Sequence, residues 1–539
     1  MLGLMQDHPL LITCLVRHGD RHHGDSEIVS RTIEGPIHRT TFRETHSRSR
    51  RLANALRRLG VGEGDRVATL AWNGYRHLEF YIAASCMGAV CHTINPRLFR
   101  DQVIFIANHA DDRYVFFDLS FAQLVEAVRP SCPKVKGWIA MTDTAHMGQA
   151  PAGSLCYETL LAAQSDAFDW PLLDERSAAG LCYTSGTTGN PKGVLYSHRS
   201  TVLHAMAGAL PDSMAISARD VAMPIVPMFH VNAWAIPYMC LMTGANLVMP
   251  GAALDGKSLC ELFENEQVTF SAGVPTVWLG VLQYLKENNK RFSSLKRILV
   301  GGSAVPPALL KTYHDEYGVE MVHGWGMTEM SPIGTTAQEK HKHKGVTGDA
   351  WVALRSRQGR ALPFVDFKIV DAEGRELPWD GTTFGDLVVQ GPWIAAAYFN
   401  EPQQILKDGW FPTGDVVTVD PDGYIKITDR SKDVIKSGGE WISSIDLENI
   451  AVAHPAVAEA AVIGVHHEKW DERPLLIVQK RQDAQVTRDE LLGFYAGKVA
   501  KWWVPDDVVF VDALPHTATG KLLKTELRRT FGGHRFPTA

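Results

Sequence analysis

Residues 183–193 of this chain read YTSGTTGNPKG, the sharpest local feature of the sequence. It follows a short apolar segment, so we expect a loop at the end of a buried strand. Glycine lets the backbone turn and approach a ligand closely, while hydroxyls, loop N–H groups and a lysine bind phosphate oxygens. The residues predicted to hold phosphate are Thr184, Ser185, Gly186, Thr187, Thr188, Gly189 and Lys192. A solvated loop without a ligand is the alternative.

The loop differs from a Walker A loop. The pattern G-x-x-x-x-G-K-[ST] needs glycine at 191 and Ser or Thr at 193, where this chain has Pro191 and Gly193. Proline also disfavours a helix through the residue before it. We therefore expect a flexible loop rather than a helix N-terminus to hold the phosphate, which disfavours a P-loop NTPase.

Outward from the loop, apolar segments alternate with segments of helical spacing. This alternation predicts parallel sheets covered by helices on both faces. Strands are expected at 66–71, 90–94, 114–117, 221–226, 245–249, 269–273 and 297–301, and helices at 75–88 and 101–107.

The pattern changes after about residue 362. Turn signals such as Asp371-Ala-Glu-Gly374 and Asp420-Pro-Asp-Gly423 predict hairpins. From residue 430 onward we expect a small α+β unit, with helices at 446–454 and 488–495 and strands at 459–464 and 474–479. The predicted domains are residues 1–429 and residues 430–539.

Composition excludes several classes of protein. The 539 residues include 54 Lys plus Arg and 60 Asp plus Glu, a net charge of −6, so no basic excess is available for nucleic acid. The eight cysteines form no C-x-x-C pair, which indicates a reducing, cytoplasmic location. No apolar run approaches the roughly 18 residues that cross a bilayer, so no integral membrane association is expected.

Seven motifs, in order, resemble those of the adenylate-forming superfamily, which contains acyl-CoA synthetases, peptide-synthetase adenylation domains and firefly-type luciferases. The resemblance covers nearly the whole chain. The motifs are 183–193, 227–232 (PMFHVN), 301–303 (GGS), 324–329 (GWGMTE), 413–415 (TGD), 429–433 (DRSKD) and 515–521 (PHTATGK).

The resemblance implies a fold and a two-step reaction. The fold is a large N-terminal α/β domain, made of two doubly wound sheet subdomains plus a small β-barrel, with a smaller, mobile α+β C-terminal domain. In the reaction a carboxylate attacks the α-phosphate of Mg-ATP to give acyl-adenylate and pyrophosphate. Coenzyme A, the co-substrate, then attacks the acyl carbon and AMP leaves.

Roles follow from matching each motif to this sequence. The resemblance makes Lys521 the cation between carboxylate and α-phosphate, Glu329 the Mg²⁺ ligand, Thr328 an α-phosphate contact, Asp415 the ribose acceptor and Arg430 a ribose and phosphate contact. The remaining nucleotide residues are Gly301, Gly302, Ser303, Gly324 and Trp325.

The resemblance also implies a moving C-terminal domain. Lys432 would be the hinge about which this domain swings between the two half-reactions. The loop predicted to line the coenzyme A tunnel comprises Ser437, Gly438, Gly439, Glu440 and Trp441. A hairpin turn in a rigid domain is the alternative.

The acid-binding motif lacks the aspartate with which amino-acid-activating relatives pair an ammonium group. A plain short or medium-chain carboxylic acid is therefore expected, with Trp234 shortening the pocket. The string 230–234 resembles that of 3-methylmercaptopropionate CoA ligases, and medium-chain enzymes share it, so both acids remain open. The predicted acyl-site residues are His230, Val231, Trp234, Gly302, Trp325, Gly326 and Pro332.

Two other classes stay open at this stage. A luciferase-like oxidase shares these motifs, and a non-catalytic binding module would share the pocket. The expected partners are the acid, ATP and coenzyme A, and relatives indicate a homodimer.

Overall fold

The computed structural model describes residues 1–184, 190–401, 403–437, 440–516 and 522–537, with the backbone alone at 440 and 441. Two large sheets dominate the first 360 residues of this described part. Their inner strands are parallel, and antiparallel strands occur at the edges.

The strands of both sheets are given in spatial order. Within the described ranges, the nine-stranded sheet runs Arg360–Ala361, Ile333–Thr336, Glu320–Gly326, Arg297–Val300, Phe270–Gly273, Val221–Pro224, Asn246–Met249, Glu27–Arg31 and Ile37–Thr41. The seven-stranded sheet runs Leu155–Cys156, Gly137–Ala140, Tyr114–Phe117, Arg66–Leu70, Val90–Thr93, Ala178–Tyr183 and Gly193–Ser197.

Helices cover these sheets, and one hydrophobic core contains residues of both. Local signals begin several of them: Thr41 caps the helix Phe42–Arg58 and forms a reciprocal capping box with Glu44. The α-helices of the large domain are Ile12–His23, Phe42–Arg58, Tyr75–Cys86, Arg100–His109, Ala122–Val128, Tyr157–Ala162, His198–Gly208, Ile236–Thr243, Gly256–Asn265, Pro275–Glu287, Pro307–Tyr317 and Gly348–Arg355.

The region predicted as a small β-barrel is an antiparallel sheet. Its strands, Asp366–Val370, Gly385–Gln390, Phe411–Val419 and Ile425–Arg430, pair in chain order, and among the described residues the first does not pair with the last. Its hairpins turn at the predicted positions, where Gly374 and Gly423 have φ of +82° and +83°.

The C-terminal part is the expected α+β unit. Its sheet contains Glu440–Ile442, Ile435–Ser437, Asp471–Lys480, Val457–His467 and Asp507–Val511, and its helices are Ser444–Val452, Arg488–Phe494 and Lys524–Phe531. The first of these helices packs on the sheet before it, where Ser444 N–H donates to Asp429 Oδ2 at 2.8 Å. The domain boundary at 429 and 430 stays a prediction.

Most sequence-predicted elements lie within a few residues of their expected bounds. The strand expected at 66–71 is Arg66–Leu70, and the helix expected at 446–454 is Ser444–Val452. Over the described ranges, the helices are all too short or too polar to cross a bilayer.

Candidate active site

A cavity of about 560 Å³ opens where the carboxyl ends of the parallel strands meet the loop after Tyr183. Ligand sites of open α/β sheets characteristically lie at such strand ends. The predicted residues that line it are Thr184, Lys192, His230, Val231, Trp234, Gly301, Gly302, Gly324, Trp325, Gly326, Thr328, Glu329, Pro332 and Arg430. Tertiary structure therefore brings residues from five sequence motifs to one cavity.

The base of the predicted phosphate loop is closed by two hydrogen bonds. Thr184 N–H donates to the Lys192 carbonyl at 2.9 Å, and Lys192 N–H donates to Thr184 Oγ1 at 3.1 Å. The loop joins two antiparallel strands, Ala178–Tyr183 and Gly193–Ser197, rather than a strand and a helix. Its central residues, Ser185, Gly186, Thr187, Thr188 and Gly189, lie outside the described residues.

Glu329 is buried and held by Tyr398, a residue that sequence reasoning missed. The Tyr398 hydroxyl donates to Glu329 Oε1 at 2.7 Å. The ring of Tyr398 lies 4.6 Å from the Nζ of Lys192, whose other neighbour is Glu401 at 3.7 Å. Burial and the Glu329 carboxylate raise the pKa of the Tyr398 hydroxyl, so it stays a donor. Tyr398 thus connects the phosphate loop to the predicted metal ligand.

Thr328 begins the short 3-10 turn Thr328–Met330, which directs Glu329 into the cavity. The Tyr196 hydroxyl donates to the Thr328 carbonyl at 2.6 Å. Ala395 N–H donates to the Glu329 carbonyl at 2.8 Å, so both residues have fixed backbones.

Asp415 does not itself line the cavity, but it contacts two residues that do, Trp325 and Arg430. Its Oδ2 accepts a hydrogen bond from Trp325 Nε1 at 3.0 Å, and its Oδ1 lies 2.9 Å from Arg430 Nε. Its side chain is only 3% exposed. Its predicted role as the acceptor of ribose hydroxyls stays a prediction.

Glycine is required where strand ends approach one another. A Cβ on Gly301 would lie 2.6 Å from the Gly324 carbonyl oxygen and 3.4 Å from Trp234 Cη2. A Cβ on Gly326 would overlap the Pro332 carbonyl. Side chains at these positions would push the strands apart or fill the cavity.

One cavity wall is a left-handed turn at Val231–Ala235. None of its five residues is glycine, and their φ values lie between +46° and +61°. This conformation costs an L-residue roughly 1–2 kcal/mol, so neighbouring contacts must hold it. Trp234 is 9% exposed, and its indole extends over Gly301.

Several predicted residues are not cavity residues. Ser303 is exposed, Lys432 lies in the turn after Ile425–Arg430, and Ser437 is buried beneath Arg473, whose Nη1 donates to its Oγ at 3.1 Å. Partial burial, Arg430 and Arg528 lower the pKa of the Lys432 amine.

The described ends of the predicted coenzyme A loop lie on two paired antiparallel strands. Backbone pairing joins Ser437 with Glu440 and Lys436 with Trp441. Gly438 and Gly439 lie outside the described residues. So does Lys521, and its predicted role therefore stays a prediction.

Other cavity residues were missed by sequence reasoning. Arg97 carries a charge at the cavity, and its guanidinium lies 5.3 Å from the Trp72 ring and 5.7 Å from the Phe229 ring. Asn190 and Phe229 lie within the motifs 183–193 and 227–232, so their position in a motif could have identified them. Tyr398 and Glu401 belong to no motif considered, so no signal in the sequence pointed to them.

The surroundings of Glu329 fit a magnesium ion. Mg²⁺ prefers oxygen ligands and takes one or two carboxylates together with substrate phosphates. Glu329 supplies a buried carboxylate on the cavity that the base of the phosphate loop also lines. Among the described residues, no cluster of three or more His, Cys, Asp or Glu forms an all-protein metal site.

Comparison with known proteins identifies the class. Residues 16–399 match the AMP-binding enzyme family, and residues 446–521 match the AMP-binding enzyme C-terminal domain. The chain belongs to the AMP-binding enzyme family.

Individual relatives narrow the class. The chain is 52% identical over 534 residues to the 3-methylmercaptopropionyl-CoA ligase of Ruegeria lacuscaerulensis, covering 98% of this chain and 99% of the relative. It is 49% identical over 534 residues to the medium-chain-fatty-acid–CoA ligase of Ectopseudomonas oleovorans, covering 99% and 98%. These relatives confirm the predicted enzyme class, an AMP-forming acyl-CoA synthetase, in the branch of medium-chain acyl-CoA ligases.

A solved structure confirms the fold class. The anthranilate CoA ligase AuaEII in complex with anthranoyl-AMP superposes with a TM-score of 0.86 at 24% identity, covering 98% of this chain and 99% of that one. At this identity the likeness concerns the fold alone.

Proposed function

We propose that this protein is an ATP-dependent ligase that adenylates a short or medium-chain carboxylic acid and transfers the acyl group to coenzyme A. The observation that carries this proposal is one cavity in which the base of the phosphate loop, the Thr328–Glu329 turn and an apolar wall meet. ATP and an acid need such neighbouring polar and apolar regions to react.

Adenylation brings anions together, so cations must offset their repulsion. Lys192 and Arg430 supply positive charge at the cavity, and Thr328 supplies a hydroxyl. We assign the bridging contact between carboxylate and α-phosphate to Lys521, and the ribose contact to Asp415. A magnesium ion held by Glu329 would supply further charge neutralisation at the phosphates.

Thioester formation needs a path for the thiol. We assign this path to the loop of residues 437–441, and we assign to Lys432 the hinge that moves this loop to the cavity. Residues 430–539 would then move as the small domain. The family comparison supports a division into two domains, because one family model ends at residue 399 and a second begins at residue 446.

The acid is assigned from the apolar wall. Val231, Trp234 and Ile333 line the cavity, and its carboxylates among the described residues, Glu329 and Glu401, contact Tyr398 and Lys192 instead. A substrate ammonium would therefore lack a partner at this wall. A plain short or medium-chain acid fits best.

A second candidate is the thioether acid 3-methylmercaptopropionate. The name of the relative at 52% identity favours it, and sulfur–aromatic contacts are worth about 0.3–1.5 kcal/mol. Trp234 and Trp325 supply aromatic rings at the cavity.

Location and assembly are also proposals. Eight unpaired cysteines support a cytoplasmic location. A homodimer rests on resemblance to relatives alone.

Pyrophosphate release across straight-chain acids of two to twelve carbons, thioether acids and aromatic acids, with and without coenzyme A, tests the function. We expect release with one or more acids and CoA-dependent AMP formation. Light emission with oxygen would indicate a luciferase-like oxidase. No pyrophosphate release with any acid would indicate a non-catalytic binding module. Equal kcat/KM for butyrate, hexanoate and the thioether acid would leave no thioether preference.

Two variants test the division of labour. Lys521→Ala is expected to abolish adenylate formation yet retain thioester formation from supplied acyl-adenylate, because its cation serves the first step. Lys432→Pro restricts φ at the hinge and should slow the second step far more than the first. Equal losses in both half-reactions would contradict either assignment.

A further inference from the structure

The left-handed turn at Val231–Ala235 is unusual because no glycine relieves it. L-residues visit this region rarely and mostly singly, since Cβ then approaches the next carbonyl oxygen. A run of five with φ from +46° to +61° persists only where the surroundings hold it.

The turn has two faces with different surroundings. Val231 and Trp234 are three residues apart, which places them on one side of a helical turn, and both line the cavity. Asn232 does not line the cavity and is 7% exposed. Its side chain faces the seven-stranded sheet.

Contacts from that sheet and from a helix that packs on it hold Asn232. The Tyr81 hydroxyl lies 3.3 Å from Asn232 Oδ1, and Cys182 Sγ lies 3.7 Å from the same oxygen. Tyr81 is fully buried on the helix Tyr75–Cys86. Its single hydroxyl proton lies between two acceptors, the nearer Met228 carbonyl just before the turn and the more distant Asn232 Oδ1. One buried tyrosine therefore contacts both the approach to the turn and its second residue.

We propose that Asn232 is a positioning residue that sets the acyl-chain preference through Trp234. Asparagine adopts left-handed φ more readily than other side-chain-bearing residues, and its amide oxygen provides the anchor. A turn that loses this anchor relaxes towards ordinary φ, and the indole three residues later shifts in the cavity. This inference rests on the proposed function.

Kinetics of Asn232→Ala and Tyr81→Phe against acids of four, six and eight carbons test the proposal. We expect KM for the preferred acid to rise at least tenfold while KM for ATP changes less than twofold. In both variants, the ratio of kcat/KM for the preferred acid to kcat/KM for the second-best acid should fall towards one. Asn232→Asp retains an acceptor oxygen and tolerance of the left-handed region, so its chain-length ratio should stay closer to that of the natural protein than the ratio of Asn232→Ala does. The buried carboxylate should lower its Tm.

Tyr313→Phe is the matched control. Tyr313 also loses one buried hydrogen bond, from its hydroxyl to the Trp278 carbonyl at 2.8 Å, but it contacts no part of the turn. Its chain-length profile should be unchanged. The proposal is overturned if Asn232→Ala and Tyr81→Phe keep the natural profile, if Tyr313→Phe shifts it equally, or if Asn232→Gly, which lacks the anchor, behaves as the natural protein.

A binding measurement separates this inference from the proposed function. Acyl-sulfamoyl adenosines of the same three lengths should raise the Tm of the natural protein by different amounts, and these differences should shrink in Asn232→Ala and Tyr81→Phe. If the natural protein activates no acid, the proposed function fails and the Tm differences still decide the role of Asn232. Equal Tm shifts for all three analogues in the natural protein overturn the inference.

Discussion

Asp415→Asn is the sharpest test of the nucleotide site. The carboxylate contacts Trp325 Nε1 at 3.0 Å and Arg430 Nε at 2.9 Å, and it is expected to accept ribose hydroxyls. Hydrogen bonds to a charged group contribute about 1.5–3 kcal/mol. At about 1.4 kcal/mol per tenfold, the loss of charge should raise KM for ATP roughly 10- to 150-fold. KM for the acid should change little, because an asparagine amide oxygen can still accept the Trp325 Nε1 hydrogen bond and keep the indole in place.

Initial rates of pyrophosphate release at varied ATP and varied acid measure the two KM values separately. Asp371→Asn is the control, since Asp371 also pairs with an arginine, Arg375 at 2.7 Å, at the end of a strand of the same sheet but away from the cavity. Asp415→Ala should also lower stability by about 1–3 kcal/mol, because Trp325 Nε1 loses its acceptor. Reduced stability with an unchanged KM for ATP would refute the ribose role and leave Asp415 a purely structural residue.

Two further variants probe the surroundings of the cavity. Tyr398→Phe removes the hydroxyl that donates to Glu329. It should raise the Mg²⁺ concentration needed for half-maximal rate about tenfold and leave KM for the acid unchanged. An unaltered Mg²⁺ titration would show that Glu329 does not need this hydrogen bond. His204 is fully buried and accepts from Ile333 N–H at 3.0 Å, and burial lowers its pKa from 6.5 to about 3. The unfolded chain therefore binds this proton below pH 6.5 while the folded chain does not, so stability falls as pH drops, by about 2 kcal/mol between pH 7 and pH 5. His204→Gln keeps an acceptor for Ile333 and should remove that part of the acid sensitivity in urea unfolding; an identical pH dependence would contradict it.

The predictable part of the fold rests on local periodicity. Alternating strands and helices were found within a few residues of their expected bounds because apolar spacing reports which face of an element is buried. The pairing order of the strands in 366–430 was not predicted, because hairpin signals do not specify which edge strands meet.

The enzyme class and the motif residues of the cavity were predictable, because short motifs of glycines, hydroxyls and charges resemble those of the adenylate-forming superfamily. Which side chains support these motif residues depends on packing. Tyr398 contacts Glu329 across 69 residues of chain, Trp325 contacts Asp415 across 90, and Tyr81 contacts Asn232 across 151. No local pattern encodes such pairs, because they arise when two sheets and the loops between them pack into one body.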